Sequence, residues 1–223
     1  FSSLGGSLGD GTLENCIFDG NKDTSDNYSS DVISVSGQEV AINNCTFTQN
    51  GDTSKTAYGT AILVGKNGLV HLNNTTANGI KDNTISHMNG FILVQKDGNL
   101  KVNGGTISYL ENTNSDLGGG AFVVYGKASF DGITISNCTA QNGGAIYVAE
   151  GGDVAFAGTI SKCNATSNGG GIYVESGATL LVSGKLKLDL TYSESVIQES
   201  TATNGGGVFS LGDTTITHAS LLS

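Results

Sequence analysis

The chain has 223 residues but no proline, no tryptophan and, because all ten basic residues are lysine, no arginine. Charged residues are only 13 % of it, about half the usual share. Each absence excludes something. Its 34 glycines follow no three-residue period and come without proline, so it is not collagen-like. With no arginine, scattered lysines and a net charge of −10, it lacks the electrostatic footprint of a nucleic-acid or anionic-lipid binder. The acidity reads as a solvated surface. The longest apolar runs are four or five residues, as at 121–125, so no helix crosses a membrane. A hydrophobic content of 37 % is still too high for a disordered chain. The first residue is Phe1, and no signal-peptide pattern precedes the structured part. The chain is therefore expected to be processed or to be a piece of something longer.

What is present is repetition. A short apolar stretch recurs at 32–35, 61–64, 91–94, 121–124, 145–148, 171–174 and 207–210, at intervals of 29, 30, 30, 24, 26 and 36 residues. From Ala121 onward a glycine pair or triplet precedes each one. A second strand signal follows a turn, as at 40–42, 69–72, 100–102 and 180–182. A third lies just beyond it. In 42–47 the apolar side chains are Ile42, Cys45 and Phe47, so alternation breaks and a bend is expected at Asn44; 13–18, 72–77, 135–140 and 160–165 share the layout.

This pattern predicts an all-β fold: a right-handed parallel β-helix with three-strand coils of about 24–36 residues and about seven rungs. Residues 1–223 form one domain, expected to be a segment of a longer rod or a stacking unit. Equivalent strands pair one coil apart at ~4.8 Å, and interior strands paired on both sides suit a chain without proline. A β-sandwich competes, since Asn67-Gly68 and Asp97-Gly98 are hairpin-type dipeptides. They recur, however, at one phase of the long repeat, which hairpins do not require.

Stacking coils should place like residues together. Asn15, Asn44, Asn74 and Asn137 are read as one structural ladder of inward asparagines at a bend, interrupted by Gly104 and Lys162. Cys16, Cys45, Cys138 and Cys163 are read in the same register, as two pairs 29 and 25 residues apart. Two readings stand for them: disulfides Cys16–Cys45 and Cys138–Cys163 in an oxidising compartment, or small buried thiols. The second is preferred, because side chains in parallel register point the same way. No Cys-x-x-Cys or adjacent His makes them a metal site.

Gly143-Gly144-Ala145-Ile146, the near matches at 119–122, 170–172 and 206–208, and Phe18-Asp19-Gly20-Asn21 and Phe47-Thr48-Gln49-Asn50 carry a resemblance. The chain resembles the repeats of the polymorphic membrane proteins of chlamydiae and related microbial adhesin-like surface proteins. Ala165-Thr166-Ser167-Asn168 departs from the second motif by lacking the aromatic. The resemblance implies a secreted, adhesive protein attached through a membrane β-barrel, and nothing in this chain is similar to that barrel.

Catalysis finds little support in the residues. Sugar-cleaving β-helices need clustered carboxylates with arginine or lysine, whereas this chain has no arginine, no tryptophan platform and only His71, His87 and His218, none in a nucleophile motif. The acidic loop 19–26 resembles the start of a calcium loop but lacks the closing Glu, with Ser30 at the twelfth position. No metal and no cofactor are expected. Sequons occur at Asn27, Asn44, Asn73, Asn74, Asn137 and Asn164. Asn27 and Asn164 are the candidate glycosylation sites, since the inner ladder would shelter Asn44, Asn74 and Asn137. Residues 185–200 lengthen one coil and are expected to loop out toward a partner.

The expected function is a non-catalytic extracellular or cell-surface rod, structural or adhesive. The expected partners are a second copy end to end, or a host receptor or glycan; nucleic acid is not among them, and this segment does not insert in a membrane. The alternatives are a fibre subunit that stacks through its ends and a polysaccharide-active enzyme.

Overall fold

The computed structural model describes residues 11–20, 31–48, 60–79, 85–87, 90–112, 118–186 and 192–222. Its strands form three parallel sheets, of fourteen, seven and four strands, and one two-stranded antiparallel hairpin. Hydrogen-bonded neighbours in the large sheets are strands from successive coils. This is the parallel β-helix predicted from the repeats.

The seven-stranded sheet contains Ile33–Val35, Ile62–Val64, Ile92–Val94, Phe122–Val124, Ile146–Val148, Ile172–Val174 and Val208–Ser210. Each strand is three residues long, so its outer two side chains enter the core and its middle one faces out. Ile62, Ile92, Phe122, Ile146 and Ile172 form one inner stack, each 0 % exposed. Val64, Val94, Val124, Val148 and Val174 form a second. The Asn67 and Asp97 turns lead from this sheet to the next strand of the same coil. Asn67 N–H donates to Asp97 O of the next coil at 3.0 Å, so these turns stack and do not close hairpins.

The fourteen-stranded sheet wraps a corner. Its first arm includes Gly11–Glu14, Glu39–Asn43, Leu69–Asn73 and Asn99–Asn103, and its second arm includes Ile17–Asp19, Thr46–Thr48, Thr76–Asn78 and Thr106–Ser108. In the middle coils one strand, Lys127–Ser136 or Asp153–Ser161, runs unbroken through both arms, with the register slipping between Asp131 and Ile133. A second corner leads to the four-stranded sheet of Ile85–His87, Leu110–Asn112, Thr139–Asn142 and Asn164–Asn168. Only bridges at Thr201 and Asn204 continue it. About five coils therefore close on all sides among the described residues, fewer than the about seven expected.

Inside lies one continuous core, with Phe47, Phe91, Phe122 and Phe156 among its largest fully buried side chains. Burying each contributes roughly 1.5–3 kcal/mol. The glycine pairs have separate duties. Gly143 has φ +60°, a left-handed conformation, and a Cβ there would sit 2.1 Å from Ile146 O. Gly144 has no such φ, but its Cβ would come within 2.3 Å of Gly170 O on the next coil. The first glycine serves the turn and the second the close approach of coils.

Candidate functional site

The corners correct the expected ladders. Asn43 pairs with Asn73, and Asn73 with Asn103, so Asn44, Asn74 and Gly104 share the first corner, as does Asn15. Asn137 does not. Ser136 pairs with Ser108 and Ser161, which places Asn137 at the second corner with Tyr109 and Lys162. All of these residues have positive φ, between 46° and 67°. Asparagine tolerates that left-handed geometry better than most residues. The turn also sends the side chain outward: Asn15, Asn44 and Asn74 are exposed and Asn137 is half-buried. They are not an inner ladder, and burial does not shelter the Asn44 and Asn74 sequons.

The inward place belongs to the next residue. Cys16, Cys45 and Thr75 occupy it at the first corner, and Cys138, Cys163 and Ser200 at the second, so the four cysteines fall at two corners and not in one register. All four are free thiols. Each donates to the carbonyl two residues back: Cys16 to Glu14 at 3.4 Å, Cys45 to Asn43 at 3.3 Å, Cys138 to Ser136 at 3.4 Å and Cys163 to Ser161 at 3.5 Å. Thr75 and Ser200 do the same, both at 3.2 Å. At these six places a small side chain with one hydrogen to give satisfies a carbonyl stranded by the bend, whereas Leu110, level with Cys138, fills the position with apolar bulk and Gly105, level with Thr75, leaves it bare.

Asparagine ladders do exist elsewhere. Asn73 Nδ2 donates to Asn43 Oδ1 at 2.8 Å on the first arm. On the four-stranded side, Asn168 Nδ2 donates to Asn142 Oδ1 and Asn204 Nδ2 to Asn168 Oδ1, both at 2.9 Å. The signal for the second was the tripeptide Asn-Gly-Gly, repeated at 142, 168 and 204.

The outer face of the seven-stranded sheet carries an aromatic stack that sequence reasoning missed. Tyr147, Tyr173 and Phe209 are register partners. Their rings stack at 5.2 Å and 5.7 Å between centroids, with interplanar angles of 19° and 4°. Tyr147 is only 3 % exposed although it faces outward, packed with Val123 and Ala149. Its hydroxyl donates to Glu175 Oε1, whose Oε2 accepts Glu150 N–H at 2.7 Å. Burial, and then the Glu175 carboxylate, hold the Tyr147 phenol far above its usual pKa; burial likewise raises Tyr125 and Tyr173. The ring faces lie against one another, which makes the stack a brace between coils more than a platform for a ligand.

The long coil supplies the candidate site. Lys185–Leu186 pairs antiparallel with Tyr192–Ser193, a hairpin that leaves the first corner before Ser195–Gln198 rejoins the second arm. Tyr192 stacks on His218 at 4.0 Å, and Lys185 Nζ lies 2.8 Å from Asp131 Oδ2. Asp131 Oδ1 is enclosed and has no hydrogen-bond partner. Ser195, 1 % exposed, accepts Gly158 N–H at 3.1 Å and donates to Ser183 O at 2.5 Å, anchoring the hairpin's base. Between hairpin and coil lies a cleft of about 160 Å³. Gly132, Ala157 and Gly158 line it with little more than backbone, beside Thr134, Thr159 and Glu194. Glu194 is held by Ser220 Oγ at 2.6 Å. The cleft offers hydroxyls, a cation and a carboxylate at a surface stripped of bulk.

Of the remaining expected sites, Asn27 lies outside the described residues, as do positions 21–30 of the acidic loop. Asn164 is exposed, and its Oδ1 accepts from Thr201 Oγ1 at 2.7 Å. His71 Nε2 lies 2.8 Å from Glu39 Oε1 on an open face. Among the described residues no three His, Cys, Asp or Glu side chains are grouped to hold a metal ion, and no helix is long and apolar enough to cross a membrane.

Stacked parallel coils around one core define a β-solenoid. The family described as "Right handed beta helix region" matches residues 67–217, and the chain belongs to it. Comparison with curated proteins and with solved structures gave no match.

Proposed function

We propose that the chain is a non-catalytic extracellular or cell-surface rod that makes adhesive contacts from its side, at the cleft beside the 185–193 hairpin. One observation carries this reading. Among the described residues the hairpin is the one antiparallel element, and it walls a cleft on an otherwise repeating surface. At about 160 Å³ the cleft is smaller than the pockets of ~300–1,000 Å³ that enclose small molecules. It suits one projecting group of a larger partner, and its threonine, serine, lysine and glutamate groups suit a hydroxyl-rich one such as a glycan. The test is binding to a glycan panel by the chain and by a variant in which 186–192 is replaced by a short turn. Binding by the intact chain alone supports the reading; equal binding by both sinks it. New reducing or unsaturated ends in the same panel would overturn the non-catalytic assignment.

A second reading, end-to-end assembly, has its own observation. Ile216 and Leu221 stand in register with Val182 and Ile197, which are 0 % and 1 % exposed, yet are themselves 38 % and 47 % exposed. A core line that reaches the surface is a face on which a further coil can pack.

A further inference from the structure

We propose, extending the glycan reading of the cleft and resting on it, that the partner is an uncharged linear glycan that lies along a column of outward threonines and ends in the cleft. The column stands on the second arm of the fourteen-stranded sheet. Thr46, Thr76, Thr106, Thr134 and Thr159 are register partners on successive coils. The residue after each, from Phe47 to Ile160, is at most 1 % exposed, so each strand turns its threonine outward. Thr106 and Thr134 are exposed and the other three are half-buried. From Thr46 to Thr159 the column is about 19 Å long, in four steps of ~4.8 Å.

The liking of threonine for strands does not by itself write this column. An outward column of the first arm reads Ala41, His71, Lys101, Ser129, Ala155 and Leu181, with no residue type kept. Nor are the column's hydroxyls spent inside the fold. Other threonines give theirs to neighbours: Thr48 Oγ1 to Asp19 Oδ1 at 2.6 Å, Thr60 Oγ1 to Asp31 Oδ1 at 2.9 Å and Thr201 Oγ1 to Asn164 Oδ1 at 2.7 Å. In the outward column beside it, Ser108 Oγ donates to Asn78 Oδ1 at 3.0 Å. Among the described residues none of the five column hydroxyls has a hydrogen-bond partner.

The column leads into the cleft. Thr134 and Thr159 line it together with Lys185 and Glu194, and Val196 ends the column on the next coil. The hairpin therefore walls two of the five threonines, which a broad flat partner cannot reach and a single extended chain can. Each threonine offers a hydroxyl that both donates and accepts, beside a methyl group. A sugar ring offers the same pairing of hydroxyls with apolar C–H. A pyranose ring in an extended chain is about as long as the ~4.8 Å step between coils. Two rings thus meet Thr159 and Thr134 in the cleft, and three more meet Thr106, Thr76 and Thr46. No charged side chain stands in the column, and a chain with a net charge of −10 repels a polyanion, so the glycan it fits is uncharged.

The experiment is calorimetric titration of the chain with β-1,4-linked oligomers of glucose, mannose and N-acetylglucosamine, in lengths from one ring to beyond the column. In one series affinity should rise with each ring from the second to the fifth, by roughly two- to tenfold for one hydrogen bond a ring, and then level. Thr76→Val with Thr106→Val keeps the branched shape and removes two hydroxyls. That variant should bind the five-ring oligomer at least about fivefold more weakly and the two-ring oligomer as the parent does. Affinity that is the same at every length from two rings upward, and untouched by the double variant, would overturn the column and leave the cleft reading standing. Undiminished two-ring binding after replacement of 186–192 would sink the cleft reading itself. No binding in any series, or tighter binding of galacturonate oligomers of equal length, would overturn the proposal.

Discussion

At the scale of single residues, the corners divide the work between conformation and contact. Asn44 supplies a left-handed turn that Gly104 supplies two coils later, with φ of 51° and 67°. Asn44→Gly should therefore leave stability within about 0.5 kcal/mol, while Asn44→Ala should cost about 1–2 kcal/mol for the unfavourable φ. Urea unfolding midpoints read both. Glycines sort the same way. Gly132, φ +74°, has nothing within 4 Å of an added Cβ, so Gly132→Ala carries the conformational cost alone. Gly143→Ala adds the clash with Ile146 O and should lose more than about 3 kcal/mol. Equal losses at the two sites would refute the close-approach argument. Tyr147 links stability to pH. Its phenol is held neutral in the fold, by burial first and then by Glu175, whereas in the unfolded chain it ionises near about 10. The raised folded pKa means its stabilisation is complete below the unfolded value and is lost as pH climbs beyond it. Between about pH 9 and about pH 11 the unfolding midpoint should fall less steeply in Tyr147→Phe than in the parent. Some slope should remain, since Tyr125 and Tyr173 are shifted the same way.

At the scale of elements, the strands were legible and the corners were not. Each strand of the seven-stranded sheet begins one residue into the apolar stretch that marked it, as Ile62 follows Ala61 and Ile146 follows Ala145. Two inward side chains around one outward one write themselves into composition at every coil. The corners failed because Asn-Cys-Thr occurs twice, at 44–46 and at 137–139, on different bends. What distinguishes them is that Lys127–Ser136 passes the first corner without stopping, a matter of hydrogen bonding with the neighbouring coils. The cleft was half legible. The extra length of the coil flagged 185–200, but its alternating pattern fits a hairpin as well as a strand extension, and only the Asp131 and Ser195 contacts show where it docks. Lys185 and Asp131 are about half exposed, so their ion pair contributes little to stability. The register of Ser195–Gln198 is set instead by Thr159–Ser161. Replacing 186–192 by a short turn should therefore shift Tm by no more than about 4 °C while abolishing any ligand binding at the cleft. Thermal unfolding followed by circular dichroism decides whether the coil depends on its hairpin.

At the scale of the molecule, the assembly reading makes its own prediction at Ile216 and Leu221. Ile216→Asp with Leu221→Asp should suppress concentration-dependent growth in sedimentation velocity and leave the unfolding midpoint nearly unchanged, since both sites already meet water. A parent chain that stays monomeric at every concentration would end the assembly reading. The ladder itself has a mechanical corollary. In a parallel β-helix the bonds between coils, such as Thr46 N–H to Cys16 O and Thr76 N–H to Cys45 O, run along the rod. Tension between its ends loads them lengthwise, a few at a time, at whichever terminal coil has one neighbour instead of two. Such a rod should yield by peeling coil after coil at modest, repeating force, lengthening as it goes, so that a tether built from it gives way in steps and not in a single break.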